Sequence, residues 1–181
     1  MPARQSALPL LWLLSDARND AELERALESL PPGSAFVFRH YHLAEEQRAA
    51  RFAHLARVAR DAGHLVVLAD VASRAREWGS DGVYGAAEPT DGGEGLIWLA
   101  TAHDGEELAA AARADGVFLS PVFATRTHPN AQTLGVHGFH VLAQQSAVPV
   151  IALGGMTKAR AEQLQWPRWG AIDGLASPLS A

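Results

Sequence analysis

"DGVFLSPVFATRTHPNAQTLG", Asp115–Gly135, decides the fold. After Asp115-Gly116 the run "VFL" is apolar without alternation, as a strand covered on both faces of a parallel sheet must be. The sixteen residues from Ser120 to Gly135 then hold two prolines, three threonines, an arginine and a histidine, with neither a helical nor an alternating period. Connections of that length are uncommon in compact domains and are usually functional or disordered. The Asp-Gly opening recurs at Asp81-Gly82-Val83 and Asp173-Gly174-Leu175. Each follows a helical pattern and is expected to open a strand.

Working outward, seven more short apolar runs read as buried strands: "LPLLWLL" (8–14), "AFVF" (35–38), "HLVVLAD" (64–70), "DGVYG" (81–85), "GLIWLA" (95–100), "VPVIALGG" (148–155) and "IDGLAS" (172–177). Helical patterns separate most of them. "NDAELERALESLPPG" sets Leu23, Leu27 and Leu30 on one face, with Asn19 or Asp20 as N-cap and Pro31-Pro32-Gly33 as the stop. "LAEEQRAARFAHLARVARDAG" does the same with Phe52, Leu55, Ala59 and Ala62, and ends at Gly63. "DGEELAAAARA", "VHGFHVLAQQSA" and "TKARAEQLQW" supply three more, the last stopped by Pro167. Eight strands alternating with helices imply βαβ units and a (β/α)8 TIM barrel in one domain, residues 1–181. At 181 residues the chain is shorter than the usual minimum of about 200 for that fold, so some elements must be cut short. "GAAEPTDGGEG" after the fourth strand has no room for a full helix, and only "PLSA" follows the eighth.

Composition narrows the function classes. Hydrophobic residues make up 48% and charged residues 19%, which supports a packed core. A net charge of −5 argues against a nucleic-acid partner, which would want a basic face. With no cysteine, disulfides, thiolate catalysis and cysteine metal sites are excluded. No apolar stretch approaches the roughly 18 residues of a membrane span, and "LPLLWLL" reads as a first buried strand rather than a signal sequence. A cytoplasmic protein that meets neither membrane nor nucleic acid is expected.

In such a barrel the active site lies at the C-terminal ends of the strands. Gly154-Gly155 after the seventh strand lets backbone N–H groups approach a phosphate at the start of the helix led by Thr157. Arg39, ending the second strand, can fork to a phosphate or carboxylate. Asp70, ending the third, can hold Mg²⁺, accept a substrate hydrogen bond or cap the next helix. His103 and His128 fall at a strand end and in the long loop. No His/Asp/Glu cluster has zinc-ligand spacing.

These segments resemble a known family. "DGVFLSPVFATRTHPNAQTLG" followed by "VPVIALGGM", together with "TAHDGEELAAAA", is similar to the signature of the thiamine-phosphate synthase and TenI (thiazole tautomerase) superfamily. The resemblance implies a TIM barrel that binds a thiazole phosphate. In the synthase a pyrimidine pyrophosphate ionises, pyrophosphate leaves with Mg²⁺, and the thiazole nitrogen captures the pyrimidine cation. Carried over singly, Arg39 matches the strand-two arginine, but Val37 stands where the family has glutamine and Tyr41 where it has lysine. Asp70 matches the metal-binding aspartate, flanked by Ala69 and Val71 in place of asparagine and arginine. Glu88 is the acid nearest the second metal aspartate. Thr101 and His103 match the strand-five serine and histidine. Thr125 and Thr127 match the paired threonines of the strand-six loop, with Arg126 and His128 as nearby charge. Gly154-Gly155 match the phosphate turn, and Ser177 the serine after strand eight.

The resemblance leaves three activities open. One is the synthase, with Mg²⁺ on Asp70 and Glu88. Another is a metal-free tautomerase with His103 as acid and base. The third is a catalytically silent barrel that binds thiazole phosphate. The family habit also implies a homo-oligomer.

Overall fold

The computed structural model describes residues 8–86, 88–89, 93–126 and 132–175. Its elements run β1 (Leu11–Leu14), α1 (Leu23–Ser29), β2 (Ala35–Phe38), α2 (Glu45–Asp61), β3 (Leu65–Leu68), α3 (Ala72–Glu77), β4 (Gly82–Tyr84) and β5 (Ile97–Ala102). They continue with α4 (Gly105–Ala110), β6 (Gly116–Leu119), α5 (Gly135–Ala143), β7 (Val150–Ala152), α6 (Lys158–Leu164) and β8 (Trp169–Ala171). Every strand pairs in parallel with its neighbours, and the sheet closes where Trp12 of β1 meets both Ala35 of β2 and Gly170 of β8. This is the expected TIM barrel.

The closed sheet explains the unbroken apolar runs. Successive side chains of a strand point to opposite faces, and here both faces are covered. Trp12, Leu14, Val37, Val67, Leu99, Phe118 and Ile151 form the barrel interior. Leu13, Phe36, Phe38, Leu68, Val117 and Leu119 pack outward with the helices. Phe118 sits edge-on to Trp12 at 5.4 Å and to Tyr84 at 5.3 Å, so the barrel centre is filled by rings. Full burial of one such large apolar side chain stabilises the fold by roughly 1.5–3 kcal/mol.

Two expectations need correction. The eighth strand is Trp169–Ala171, just ahead of "IDGLAS", and Asp173–Leu175 is a short 3-10 turn. Pro167 stops α6 and the chain enters the barrel at once. The turn then presses on the β7 loop, where a Cβ at Gly174 would land on the Met156 carbonyl oxygen. The third Asp-Gly pair therefore follows its strand instead of opening it. Helix α3 also went unread, because its buried positions are only Ala72 and Ala75. Between β4 and β5 the described residues hold no helix, as the short segment required.

Candidate active site

The C-terminal strand ends surround an open cavity of ≈ 770 Å³, a size suited to a small ligand. The two-residue period decides which side chains reach it. Continuing the inward phase of Val37, Leu99, Phe118 and Ile151 past each strand end gives Arg39, Thr101, His103, Ser120 and Leu153, and all five line the cavity. The loops add Arg18, Tyr41, Thr125, Arg126, Gly154 and Gly155, and α6 adds Arg160. Among the described lining residues four are arginines and Asp173 is the one acid, so the cavity favours an anion.

Arg39 is tightly anchored. Its N–H donates to Ser15 Oγ at 2.7 Å, its Nε to the Ser15 carbonyl at 3.1 Å and its Nη2 to Asp16 Oδ2 at 2.9 Å. Asp16 also accepts from Arg18 Nε at 3.0 Å. Burial works to raise the Asp16 pKa, but the hydrogen bonds from Arg18 and the charges of Arg18 and Arg39 outweigh it and hold the carboxyl below its ordinary value. Tyr84 closes the cavity floor. Burial pushes its phenol up to about 12, against the pull of the nearby Arg39 charge, so it stays neutral.

The glycine turn has a reason independent of any ligand. Gly154 and Gly155 have φ of +94° and +62°, the left-handed region that favours glycine. A Cβ at Gly154 would lie 2.6 Å from Pro121 Cα, and one at Gly155 would land on the Ala124 carbonyl oxygen. The turn and the start of the β6 loop pair through Val122 N–H to the Leu153 carbonyl (2.9 Å) and Phe123 N–H to the Gly154 carbonyl (3.1 Å). Arg160 completes the corner. Its Nη1 donates to the Gly155 carbonyl at 2.5 Å, and its guanidinium lies 5.2 Å from the centre of the Phe123 ring. Helix α6 has only seven residues, and the Thr157 side chain already accepts from Arg160 N–H at 3.2 Å.

His103 stands at the rim, 57% exposed, with Nδ1 2.8 Å from Glu107 Oε2. The carboxylate also accepts the His103 backbone N–H at 2.7 Å. With Nδ1 serving as donor to Glu107, Nε2 is left for a ligand.

The outward phase holds a different set. Val67 faces in and Leu68 faces out, so Asp70 continues the outer phase, toward the helices. There its Oδ2 accepts from Arg48 Nη1 of α2 at 2.5 Å and its Oδ1 from Val71 N–H at 2.8 Å. His40 also lies outside the barrel, buried against Phe38 with ring centres 4.7 Å apart. It lies 2.7 Å from Ser15 Oγ through Nδ1 and 2.7 Å from Asp20 Oδ1 through Nε2. Glu88 pairs with Arg113 at 3.1 Å. Asp70 and Glu88 therefore each carry an arginine, neither lines the cavity, and no group of three metal-ligating side chains exists among the described residues. These residues do not fit a Mg²⁺ ion. Thr127, His128 and Ser177 lie outside the described residues.

Arg18 and Arg160 were not among the expected site residues, yet each has a positional signal: Arg18 lies four residues past the inward Leu14, and Arg160 lies in the first turn of the helix after the glycine pair.

A family model described as Thiamine monophosphate synthase matches residues 11–171. The chain is 30% identical over 162 residues to a thiamine-phosphate synthase of Chloroflexus aurantiacus, covering 83% of this chain and 73% of that one. It is 32% identical over 111 residues to a thiamine-phosphate synthase of Laribacter hongkongensis, covering 56% and 53%. The fold is similar to that of a thiamine phosphate pyrophosphorylase from Pyrococcus furiosus, with a TM-score of 0.78 at 21% identity, over 94% of this chain and 91% of that one. It is also similar to the YdjI aldolase of Escherichia coli, with a TM-score of 0.61 at 11% identity, over 91% and 75%. The barrel is thus shared with other chemistries, and the sequence matches carry the assignment: the chain belongs to the thiamine monophosphate synthase family.

Proposed function

We propose that the chain acts in thiamine biosynthesis and condenses a thiazole phosphate with a hydroxymethylpyrimidine pyrophosphate, releasing pyrophosphate. One observation carries this reading: a single ≈ 770 Å³ cavity with arginines in separate places around its mouth. Arg160 stands after β7 and Arg126 on the β6 loop, whereas Arg39 ends β2, three strands from β7, and Arg18, after β1, shares Asp16 with it and reaches Asp173 beyond β8. That spacing suits two anionic groups held at once, and two ring substrates each bring one.

In this reading the thiazole phosphate takes the corner formed by the Gly154-Gly155 turn, Arg160 and Arg18. Thr101, Thr125 and Tyr84 line the space between the poles. The bond from the pyrimidine methylene carbon to the pyrophosphate oxygen breaks, and its electron pair leaves with pyrophosphate. The thiazole nitrogen lone pair then forms the new C–N bond. Preorganised cations are worth most where charge develops in the transition state, and Arg39, fixed at both backbone and side chain, is placed for the leaving group. No step passes through a metal at Asp70 or Glu88. Incubation of the purified protein with both substrates should yield thiamine phosphate and an equal amount of pyrophosphate. No product at enzyme concentrations matching substrate, with Mg²⁺ present or absent, overturns the reading.

The His103–Glu107 pair supports a second reading, a thiazole tautomerase that moves a proton through His103 Nε2. An aromatisation rate unchanged in His103→Ala rules that reading out.

A further inference from the structure

Arg48 is the least expected feature of this site. It is a buried arginine on the inner face of α2, whose neighbours there are the apolar Phe52, Leu55 and Ala56. Each of its donor groups has a partner. Nη1 donates to Asp70 Oδ2 at 2.5 Å, Nη2 to the Ala69 carbonyl at 2.9 Å and Nε to the Arg39 carbonyl at 3.1 Å. The guanidinium is flanked by the rings of Phe38, Tyr41 and Trp78, with centroids 5.7, 5.8 and 5.5 Å away. One planar cation therefore bolts the C-terminal end of β2 to that of β3, and it does so through the carboxylate that the family resemblance assigns to Mg²⁺.

We propose that Arg48 permanently replaces a metal ion as the counter-charge of Asp70, which makes Asp70 an anchor for Arg39 and not a ligand for a divalent cation. Both Asp70 oxygens are engaged, one by the guanidinium and one by the Val71 N–H. A divalent ion binding there would compete with a buried guanidinium for the same carboxylate. Removing one partner of a buried ion pair leaves the other charge without compensation, which is strongly destabilising. Arg48 is a positioning residue: through the Arg39 carbonyl it works with Ser15, which holds the Arg39 N–H, to fix the strand end from which Arg39 enters the cavity. The inference deepens the proposed function for Arg39, but its first test is independent of turnover.

That test is titration of the ¹⁵N-labelled full chain with Mn²⁺, following paramagnetic broadening of backbone amides. The expected result is no selective broadening of Asp70, Val71 and Ala72 at Mn²⁺ up to the low millimolar range. In Arg48→Gln, which uncovers the carboxylate, those amides broaden, and the melting temperature falls. Selective, saturable broadening of the Asp70 and Val71 amides in the wild-type protein overturns the proposal. This wild-type arm decides even if Arg48→Gln does not fold. A second readout addresses positioning. Arg48→Lys keeps the charge but not the three-way fork, and is expected to raise KM for the pyrophosphate-bearing substrate at least tenfold while KM for the thiazole phosphate stays within twofold. Equal changes in both KM values, or none, refute the positioning role. Failure of turnover in the wild type would count against the proposed reaction alone and would leave the Mn²⁺ result standing.

Discussion

Substituting Gly154 by alanine separates two reasons for a glycine at that position. If glycine serves only the approach of a ligand, an added methyl group would weaken binding and leave the fold untouched. The structure gives the other answer. At φ +94° the position is left-handed, where an L-residue pays about 1–2 kcal/mol. The new Cβ would lie 2.6 Å from Pro121 Cα and 2.8 Å from Pro121 Cβ. Carbon atoms pack at about 3.5–4.0 Å, so one of two backbones must move by close to 1 Å, at a typical overpacking cost of about 1–3 kcal/mol. The sum is about 2–5 kcal/mol, a large part of the stability of an ordinary domain. For a chain of this size it should lower Tm by roughly 5–15 °C. Urea denaturation of the ligand-free protein measures it, with Gly85→Ala as control. Gly85 lines the same cavity, yet its Cβ would meet nothing within 4 Å, so its effect should stay within about 0.5 kcal/mol. If Gly154→Ala is as stable as the control, the loop-packing account is wrong.

Other outcomes follow from the same contacts. Burial above all holds the His40 pKa below its ordinary 6.5, against the hydrogen bond and charge of Asp20, with Arg51 and His42 adding repulsion. The unfolded chain therefore takes up the proton first, so His40 stabilises the fold above pH 6.5 and that part is lost as pH falls toward its lower folded pKa. His40→Asn, which tolerates the left-handed φ of +36°, should flatten stability against pH across that window in pH-dependent urea melts; an unchanged slope assigns the pH effect elsewhere. Arg160→Ala should weaken thiazole-phosphate binding by about 1.5–3 kcal/mol, or roughly 10- to 150-fold in Kd by calorimetry; unaltered affinity removes Arg160 from the phosphate corner. Phe118→Ala empties the ring cluster inside the barrel and should cost about 3–5 kcal/mol in chemical denaturation; a cost under about 1 kcal/mol would mean that the barrel centre is not packed as described.

The barrel was legible because its signal is redundant. Strands buried on both faces must be apolar throughout, and helices of period 3.6 separate them. The eighth strand was misplaced because "RWGAI" contains only a few apolar residues, whereas "IDGLAS" repeated a pattern that opened two genuine strands. At the site, Arg39, Thr101 and His103 were readable from their places at strand ends, and the structure sets them inward. Asp70 was equally readable as a strand end, but its face was not used. Counting the two-residue period from Val67 would have turned it outward, toward α2. Its arginine partner could not be read at all, since the Arg48–Asp70 pair joins residues on different elements and depends on how α2 docks. The glycine pair shows the reverse case. The sequence marked the right residues, while the steric reason for them lies in a loop some thirty residues earlier.

Both the condensation and the proton-transfer reading require the thiazole phosphate in the cavity at the barrel mouth, so its binding is the most direct test. Calorimetric titration of the purified chain should compare thiazole phosphate with the same thiazole lacking the phosphate. The expected result is saturable binding of the phosphate ester near one ligand per chain. The alcohol should bind at least a hundredfold more weakly, because it cannot use Arg18, Arg160 or the turn at Gly154-Gly155. Equal binding of the two compounds, or no binding of the ester at millimolar concentration, contradicts it.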